Sequence, residues 1–390
     1  MPEKTLPASR LIRKIVVAPD SYKGSLSSQD VCQIIAEEAA RQFPRAEIVK
    51  LPASDGGEGM VDALLGAGRG QRIFAWVKDP LFRDIEASYG ILMDGTAAIE
   101  MAAASGLTLV STGELQAEKA TTYGTGQLIL DALQRGCRKI ILGIGGSATT
   151  DGGAGLAAAL GMRFLTTEGE AILSGGDLEK LDRIDRGAIV PELSASEITI
   201  ACDVSNPLYG PQGAAHVFGP QKGASPEQVE RLDRGLKRLA EVILKDAGIN
   251  VQEIPGAGAA GGIAVPLIAF SGAKLALGVD VVLEAIGLDR HLQGCDLVIT
   301  GEGRSDAQSA MGKLISGVGR RAAAQGVPAV VISGALHEGY EALYEQGISA
   351  FFSTTREVVT LEEALKQAEK NLRRTARDVF RLIKAVIQGI

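Results

Sequence analysis

Short runs of β-branched and aliphatic residues recur along the chain, and most are separated by stretches in which apolar residues return every three or four positions. KIVVA at Lys14–Ala18, EIVKL at Glu47–Leu51, KIILG at Lys139–Gly143, ITIAC at Ile198–Cys202, DLVIT at Asp296–Thr300 and AVVIS at Ala329–Ser333 read as buried parallel strands. Ser28–Gln42 reads as a helix that opens on a serine cap and puts Val31, Ile34 and Ile35 on one face. Pro226–Ala247 is a longer helix with Val229, Leu232, Leu236, Leu239 and Ile243 on one face, and Leu361–Gln388 forms a terminal helix or helix pair. Strands alternating with helices predict an α/β fold.

The rhythm changes once. QRIFAWVKD, IEASYGILM and TAAIEMA, within residues 71–110, look like consecutive strands with no helix between them, and the strand-helix-strand alternation returns after residue 290. This predicts two α/β domains. A discontinuous Rossmann- or flavodoxin-like domain is expected over 1–75 plus 290–390, with a second α/β domain over 76–289 inserted in it. The cleft between two such domains is the expected active site.

Composition narrows the function. With 46% hydrophobic and 22% charged residues the chain is globular, not disordered. A net charge of −7 and only 4% aromatic residues argue against a nucleic-acid binder, which needs a basic surplus or a stacking surface. Cys32, Cys137, Cys202 and Cys295 form no CxxC pair and sit in or beside apolar segments. They read as small core residues in a reducing cytoplasm, not as a zinc site. The opening MPEKTLPASRLIRK lacks the apolar run of a signal peptide, and the apolar stretch near Gly261–Phe270 is about half a membrane span. A soluble, cytoplasmic protein is expected.

In open parallel sheets ligands bind beyond the carboxyl ends of the strands. Five strand ends here are followed by small residues mixed with polar ones: Asp20–Ser25, Ser54–Gly59, Ile144–Gly153, Asp203–Pro207 and Gly301–Asp306. Taken alone, Asp20 or Asp55 could cap a helix, Lys23 could be a solvated loop lysine, and Gly56-Gly57 could be a turn. Together they suggest one cleft for an anionic ligand. The loop Gly145-Gly146-Ser147-Ala148-Thr149-Thr150 offers backbone N–H groups and hydroxyls to phosphate, and Pro255–Gly262 is a second such loop. Lys23 and Arg304 supply positive charge, and Arg304 can grip a carboxylate with two parallel bonds. Asp55, Glu58, Asp203 and Asp306 can hold Mg²⁺ or accept a hydroxyl proton.

Standard motifs add little. There is no GxxxxGK[ST], so no P-loop. Gly256-Ala257-Gly258-Ala259-Ala260-Gly261 matches GxGxxG, but the preceding VQEIP is polar, ends in proline and makes a poor central strand. That loop is open to three readings: a dinucleotide site, close helix packing, or a phosphate-binding helix start. His216, His291 and His337 are scattered and read as ordinary structural or surface residues.

Nine tracts in order resemble the type I glycerate kinases. They are APDSYKGSLS at Ala18–Ser27, LPASDGGEG at Leu51–Gly59, IEMAAASGL at Ile99–Leu107, TTYGTG at Thr121–Gly126, GIGGSATTDGGAG at Gly143–Gly155, CDVSNPLYGPQG at Cys202–Gly213, FGPQKG at Phe218–Gly223, Pro255–Gly262, and GEGRSDAQSAMGKLISG at Gly301–Gly317. Leu314-Ile315 departs mildly from the more polar or proline-containing stretch expected in many members. The resemblance implies an ATP-dependent kinase acting on D-glycerate to give 2-phosphoglycerate. Mg²⁺ is expected with the phosphoryl-transfer chemistry, a monomer or homodimer is expected, and charge and apolar run length leave no nucleic-acid or membrane partner expected. The sequence itself does not choose between the 2- and 3-hydroxyl.

On this basis Lys23, Arg304, Asp203 and Asp306 are the expected catalytic residues, with Asp203 the first choice to orient or deprotonate the hydroxyl and Asp306 the second. Ser21, Lys23, Asn206 and Arg304 are expected to bind substrate. Gly145, Gly146, Ser147, Thr149, Gly256 and Gly258 are expected at the nucleotide, and Asp55 and Glu58 at the metal. The rival readings are an NAD(P)-dependent hydroxy-acid oxidoreductase and a small-acid binding protein without catalysis.

Overall fold

The computed structural model describes residues 11–68 and 70–388. Most of the N-terminal tract weighed above as a leader lies outside them. The fold is mixed α/β, as the alternation predicts. Two compact units are present: residues 1–55 with 282–390, and residues 56–281. Residues 56–75 and 282–289 thus group differently from the division suggested by periodicity.

The first unit is built on a five-stranded sheet in which every neighbour pair is parallel. Its order is Ile348–Ser353, Ala329–Ser333, Leu297–Thr300, Lys14–Val17, Glu47–Lys50. Numbered along this unit, that is 5-4-3-1-2, the flavodoxin-like order. Ile15, Val17, Ile299 and Ile332 share a core with Val31 and Ile35 of the Ser28–Gln42 helix and Leu372 and Phe380 of the Ala368–Gln388 helix. The alternating Val16, Val298 and Val331 are fully buried as well, so both sheet faces are covered. This is why these strands read as unbroken apolar runs.

The Ser28–Gln42 helix is capped by Ser27 rather than Ser28: Ser27 accepts from the Asp30 N–H and Asp30 answers with its carboxylate. Ser28 is buried in the first turn. The terminal segment is a helix pair, Leu361–Lys366 and Ala368–Gln388.

The second unit carries a six-stranded sheet ordered Lys274–Ala276, Glu197–Ala201, Lys139–Gly143, Ala97–Glu100, Asp84–Ile91, Gln71–Lys78. The last three are the consecutive strands expected near 71–110. They pair antiparallel with each other, while the remaining pairs are parallel. The Pro226–Ala247 helix has the expected bounds, a Ser225 capping box, and a face of Val229, Leu232, Leu236, Leu239 and Ile243 in the core. Cys32, Cys137 and Cys202 are buried, Cys295 is half-buried, and all four are free thiols. Among the described residues no helix is long and apolar enough to cross a membrane.

Candidate active site

A 2-1-3-4-5 parallel sheet opens a crevice where the chain reverses direction, between the first and third strands at their carboxyl ends. In the first unit those strands are Lys14–Val17 and Leu297–Thr300, and a cavity of about 600 Å³ lies at their ends. Asp20, Ser21, Lys23, Asp55, Glu302, Arg304 and Asp306 line it. The two loops are tied by backbone: the Asp20 N–H donates to the Gly301 carbonyl at 2.8 Å, and the Ala18 N–H to that of Ile299 at 2.8 Å. Gly301 itself packs against the neighbouring Ala329–Ser333 strand, where a Cβ would lie 1.8 Å from the Ile332 carbonyl oxygen.

Charge is sorted by depth. Asp20 is only 8% exposed, whereas Lys23, Arg304 and Arg374 are exposed on the same cavity. Burial pushes the Asp20 carboxyl up to about 7, the nearby charges of Asp55 and Glu302 add to this, and the Ser21 N–H at 2.6 Å opposes it. The helix that follows is capped by Ser27 and not by Asp20. Burial also raises Glu302, although its Oε1 accepts from Ser309 at 2.5 Å and Ser305 at 3.2 Å. The Arg304 Nε lies 3.1 Å from Asp306 Oδ2. Asp306 also accepts from the Gln308 N–H at 2.9 Å and caps the Ala307–Ala310 turn.

The second unit has its own cavity, of about 280 Å³, at the carboxyl ends of Lys139–Gly143 and Glu197–Ala201. Gly56, Gly57, Gly145, Gly146, Ser147, Asp203 and Lys222 are on its wall. Gly146 takes a left-handed φ of +74°, and its carbonyl accepts from the Leu107 N–H at 2.8 Å. The Thr149 N–H donates to Ser147 Oγ at 3.0 Å, so the loop is internally braced. Behind it, fully buried Asp151 accepts from the Thr122 N–H and hydroxyl, both at 2.8 Å, and from the Gly153 and Gly155 N–H groups at 3.1 and 3.2 Å. Asp203 Oδ1 accepts from the Gly278 N–H at 2.9 Å.

Of the residues singled out by sequence, Ser21, Lys23, Asp55, Arg304 and Asp306 meet on the first cavity, and Gly145, Gly146, Ser147 and Asp203 on the second. The others lie off both walls. Glu58 is exposed, and Thr149 is fully buried with its hydroxyl 2.9 Å from that of Ser147. The Asn206 amide donates to the Gln212 carbonyl at 2.9 Å. Gly256 and Gly258 serve packing: a Cβ on Gly258 would lie 2.0 Å from the Pro207 carbonyl oxygen, and one on Gly256 2.9 Å from that of Val204. The segment before them is a 3₁₀ turn, Val251–Glu253, with no strand. A dinucleotide fingerprint needs that strand.

Asp20 and Glu302 lie in strand-end loops that the sequence assigns to the cleft, but neither is given a role there, and Lys222 appears only within the FGPQKG tract. Burial is what distinguishes Asp20 and Lys222, and sequence does not display it. Among the described residues no group of three or more His, Cys, Asp or Glu side chains is placed to hold a metal. A Mg²⁺ site does not need one, since one or two carboxylates plus phosphate oxygens and waters suffice.

A family model described as the glycerate kinase family matches residues 15–384. The chain is 46% identical over 368 residues to the glycerate 2-kinase of Escherichia coli (strain K12), covering 94% of this chain and 97% of that one. It is 47% identical over 368 residues to the glycerate kinase of Bacillus cereus (strain ATCC 10987 / NRS 248), with the same coverage of 94% and 97%. A Salmonella typhimurium LT2 protein solved by crystallography superposes with a TM-score of 0.88 at 46% identity, covering 96% of this chain and 99% of that one.

Proposed function

The chain belongs to the glycerate kinase family and phosphorylates glycerate with ATP as co-substrate, and we propose that the acceptor is the 2-hydroxyl of D-glycerate. The observation that carries the reading at the level of the site is the cavity at the switch point of the parallel sheet, where exposed basic groups share the wall with buried Asp20 and half-buried Asp55 and Glu302. Phosphoryl transfer is mostly positioning plus electrostatics, and such a cavity suits both. At about 600 Å³ it exceeds a three-carbon acid, and Leu361 and Leu365 give it an apolar side, so part of a nucleotide can share it.

In this mechanism Lys23 and Arg304 hold the glycerate carboxylate and the moving phosphoryl group, with Ser21 beside them. Asp306 holds the Arg304 guanidinium through Nε, which supports a positioning role over that of a base. Asp203 orients or deprotonates the acceptor hydroxyl. The Gly145, Gly146 and Ser147 backbone cradles nucleotide phosphates.

Mg²⁺ is part of the proposal. The donor set suits a hard cation, because the first cavity presents carboxylates whose repulsion already shows in Asp20. Asp55, on the wall of that cavity, would hold the ion. Bound there, Mg²⁺ would supply charge that neutralises the nucleotide phosphates. Four free thiols support the cytoplasmic setting.

The test is ADP release from ATP, followed with and without D-glycerate, with phosphorus NMR of the product. Release that depends on glycerate, with phosphorus coupled to the C2 proton, fits the proposal. A 3-phosphate product refutes the choice of hydroxyl. The oxidoreductase reading finds no support, since its one motif is a packing loop.

A further inference from the structure

Lys222 is the most deeply buried cation facing either cavity, at 2% exposed. Its backbone is fixed by the Pro220–Lys222 turn and by the left-handed Gly223, φ +89°, packed against Leu115. Its ammonium donates to the Thr149 carbonyl at 2.5 Å and, more weakly, to Ser147 Oγ at 3.4 Å. An ammonium has three N–H donors, so one remains without an acceptor among the described residues. No carboxylate lies within ion-pair distance of it among the described residues. Asp151 is near enough to act on its charge, but the Asp151 oxygens are taken by Thr122, Gly153 and Gly155.

A buried charge without a partner is costly, and an apolar side chain of similar length would avoid that cost. The arrangement makes sense if the counter-charge arrives with a ligand. Lys222 and Ser147 share the cavity wall with Gly145 and Gly146, where the backbone is already shaped for an anion. We propose that Lys222 is the cationic contact for a phosphate group of the nucleotide in the cavity of residues 56–281. The inference rests on the nucleotide-phosphate reading of the Gly145–Ser147 loop and adds to it a named charge. Burial holds the ammonium down to about 7 in the free protein, and an anion beside it would restore the charge.

The test uses the full chain with Lys222→Met, Lys222→Gln and Ser147→Ala. Binding of ATP, and of D-glycerate separately, is measured by calorimetry, with KM for each substrate and ligand-free melting. The expected result is a tenfold or greater loss of ATP affinity in both Lys222 variants, an unchanged KM for glycerate, and a Lys222→Met melting temperature equal to or above that of the parent. Lys222→Gln keeps a donor for the Thr149 carbonyl, so it decides the matter if Lys222→Met folds poorly. ATP binding as tight as the parent's in Lys222→Gln overturns the inference. If Ser147→Ala alone loses ATP, the loop reading stands and the role of Lys222 falls. If none of the three variants changes ATP affinity, both fall. Loss of glycerate affinity instead of ATP affinity in the Lys222 variants also overturns the assignment.

Discussion

The Asp20 N–H donates to the Gly301 carbonyl at 2.8 Å, joining the loops that leave the first and third strands of the parallel sheet. These strands are neighbours although some 280 residues separate their paired positions. The bond draws the Asp20 carboxyl down among Asp55 and Glu302, and it places Lys23 and Arg304 on the same cavity.

Asp20 should make the ligand-free fold pH-sensitive. Its folded pKa of about 7 stands above the ordinary value of 3.8, so the native state keeps its proton longer than the unfolded chain. Stability therefore falls as pH rises from about 4 through 7, and the full penalty, up to about 4 kcal/mol, applies above that. Asp20→Asn still accepts from the Ser21 N–H and carries no charge. It should melt higher than the parent at pH 8, by a margin that shrinks towards pH 5 and vanishes near 4. A margin independent of pH would mean that the buried carboxyl is not the source.

Arg304 should act through its fork as well as its charge. Asp306 takes Nε, which leaves the two terminal nitrogens without a protein partner among the described residues. Arg304→Lys keeps the charge and loses the paired donors, which are worth about 1.5–3 kcal/mol at a charged acceptor. A rise of roughly 10- to 100-fold in the glycerate KM is expected, with a smaller change for ATP. Asp306→Asn keeps the cap and loses the ion pair, so its effect should be smaller and in the same direction. Steady-state kinetics in both substrates check this, and an unchanged glycerate KM in Arg304→Lys would remove it from the carboxylate.

Much of the fold was legible because its signals are local. The strands of the first sheet are buried on both faces, so KIVV, LVIT and AVVIS show as apolar runs, and the Pro226–Ala247 helix carries both its cap and its stripe in sequence. Strand order is a tertiary property, so the switch point that places the cavity could not be read. Asp20 follows a strand and precedes a helix, which is where a cap would stand, but Ser27 is the cap and Asp20 is buried at 8% exposed. Lys222 sits in a polar tract that looks solvated, yet it is 2% exposed, with its ammonium held by the Ser147–Thr149 loop. GxGxxG misled in the opposite sense, because glycine serves close packing as readily as phosphate binding.

Gly258 tests that last point. A Cβ would lie 2.0 Å from the Pro207 carbonyl oxygen and 3.2 Å from the Ala214 nitrogen, both backbone and neither free to move aside. Gly258→Ala should destabilise the chain by roughly 1–3 kcal/mol through overpacking. In the fraction that stays folded, the ATP KM should be unchanged. A stable Gly258→Ala with weakened ATP binding would return this glycine to the nucleotide.

Asp203 is the sharpest test of the mechanism, since its fold role and its chemical role can be separated. Its side chain is exposed on the cavity of the second unit, and Oδ1 accepts from the Gly278 N–H at 2.9 Å. Asn presents the same oxygen to that N–H but cannot take a proton from an acceptor hydroxyl. Asp203→Asn should therefore melt within a degree or two of the parent while kcat falls by about 10²–10⁴, the usual contribution of a positioned acid–base group. Both KM values should stay within a few-fold. If turnover stays near that of the parent, Asp203 is not the group that orients the hydroxyl. If turnover and melting temperature fall together, the Gly278 contact is its main role and the proton acceptor must be sought among Asp20 and Glu302, the two carboxyls on the first cavity that burial raises above the usual carboxylate range.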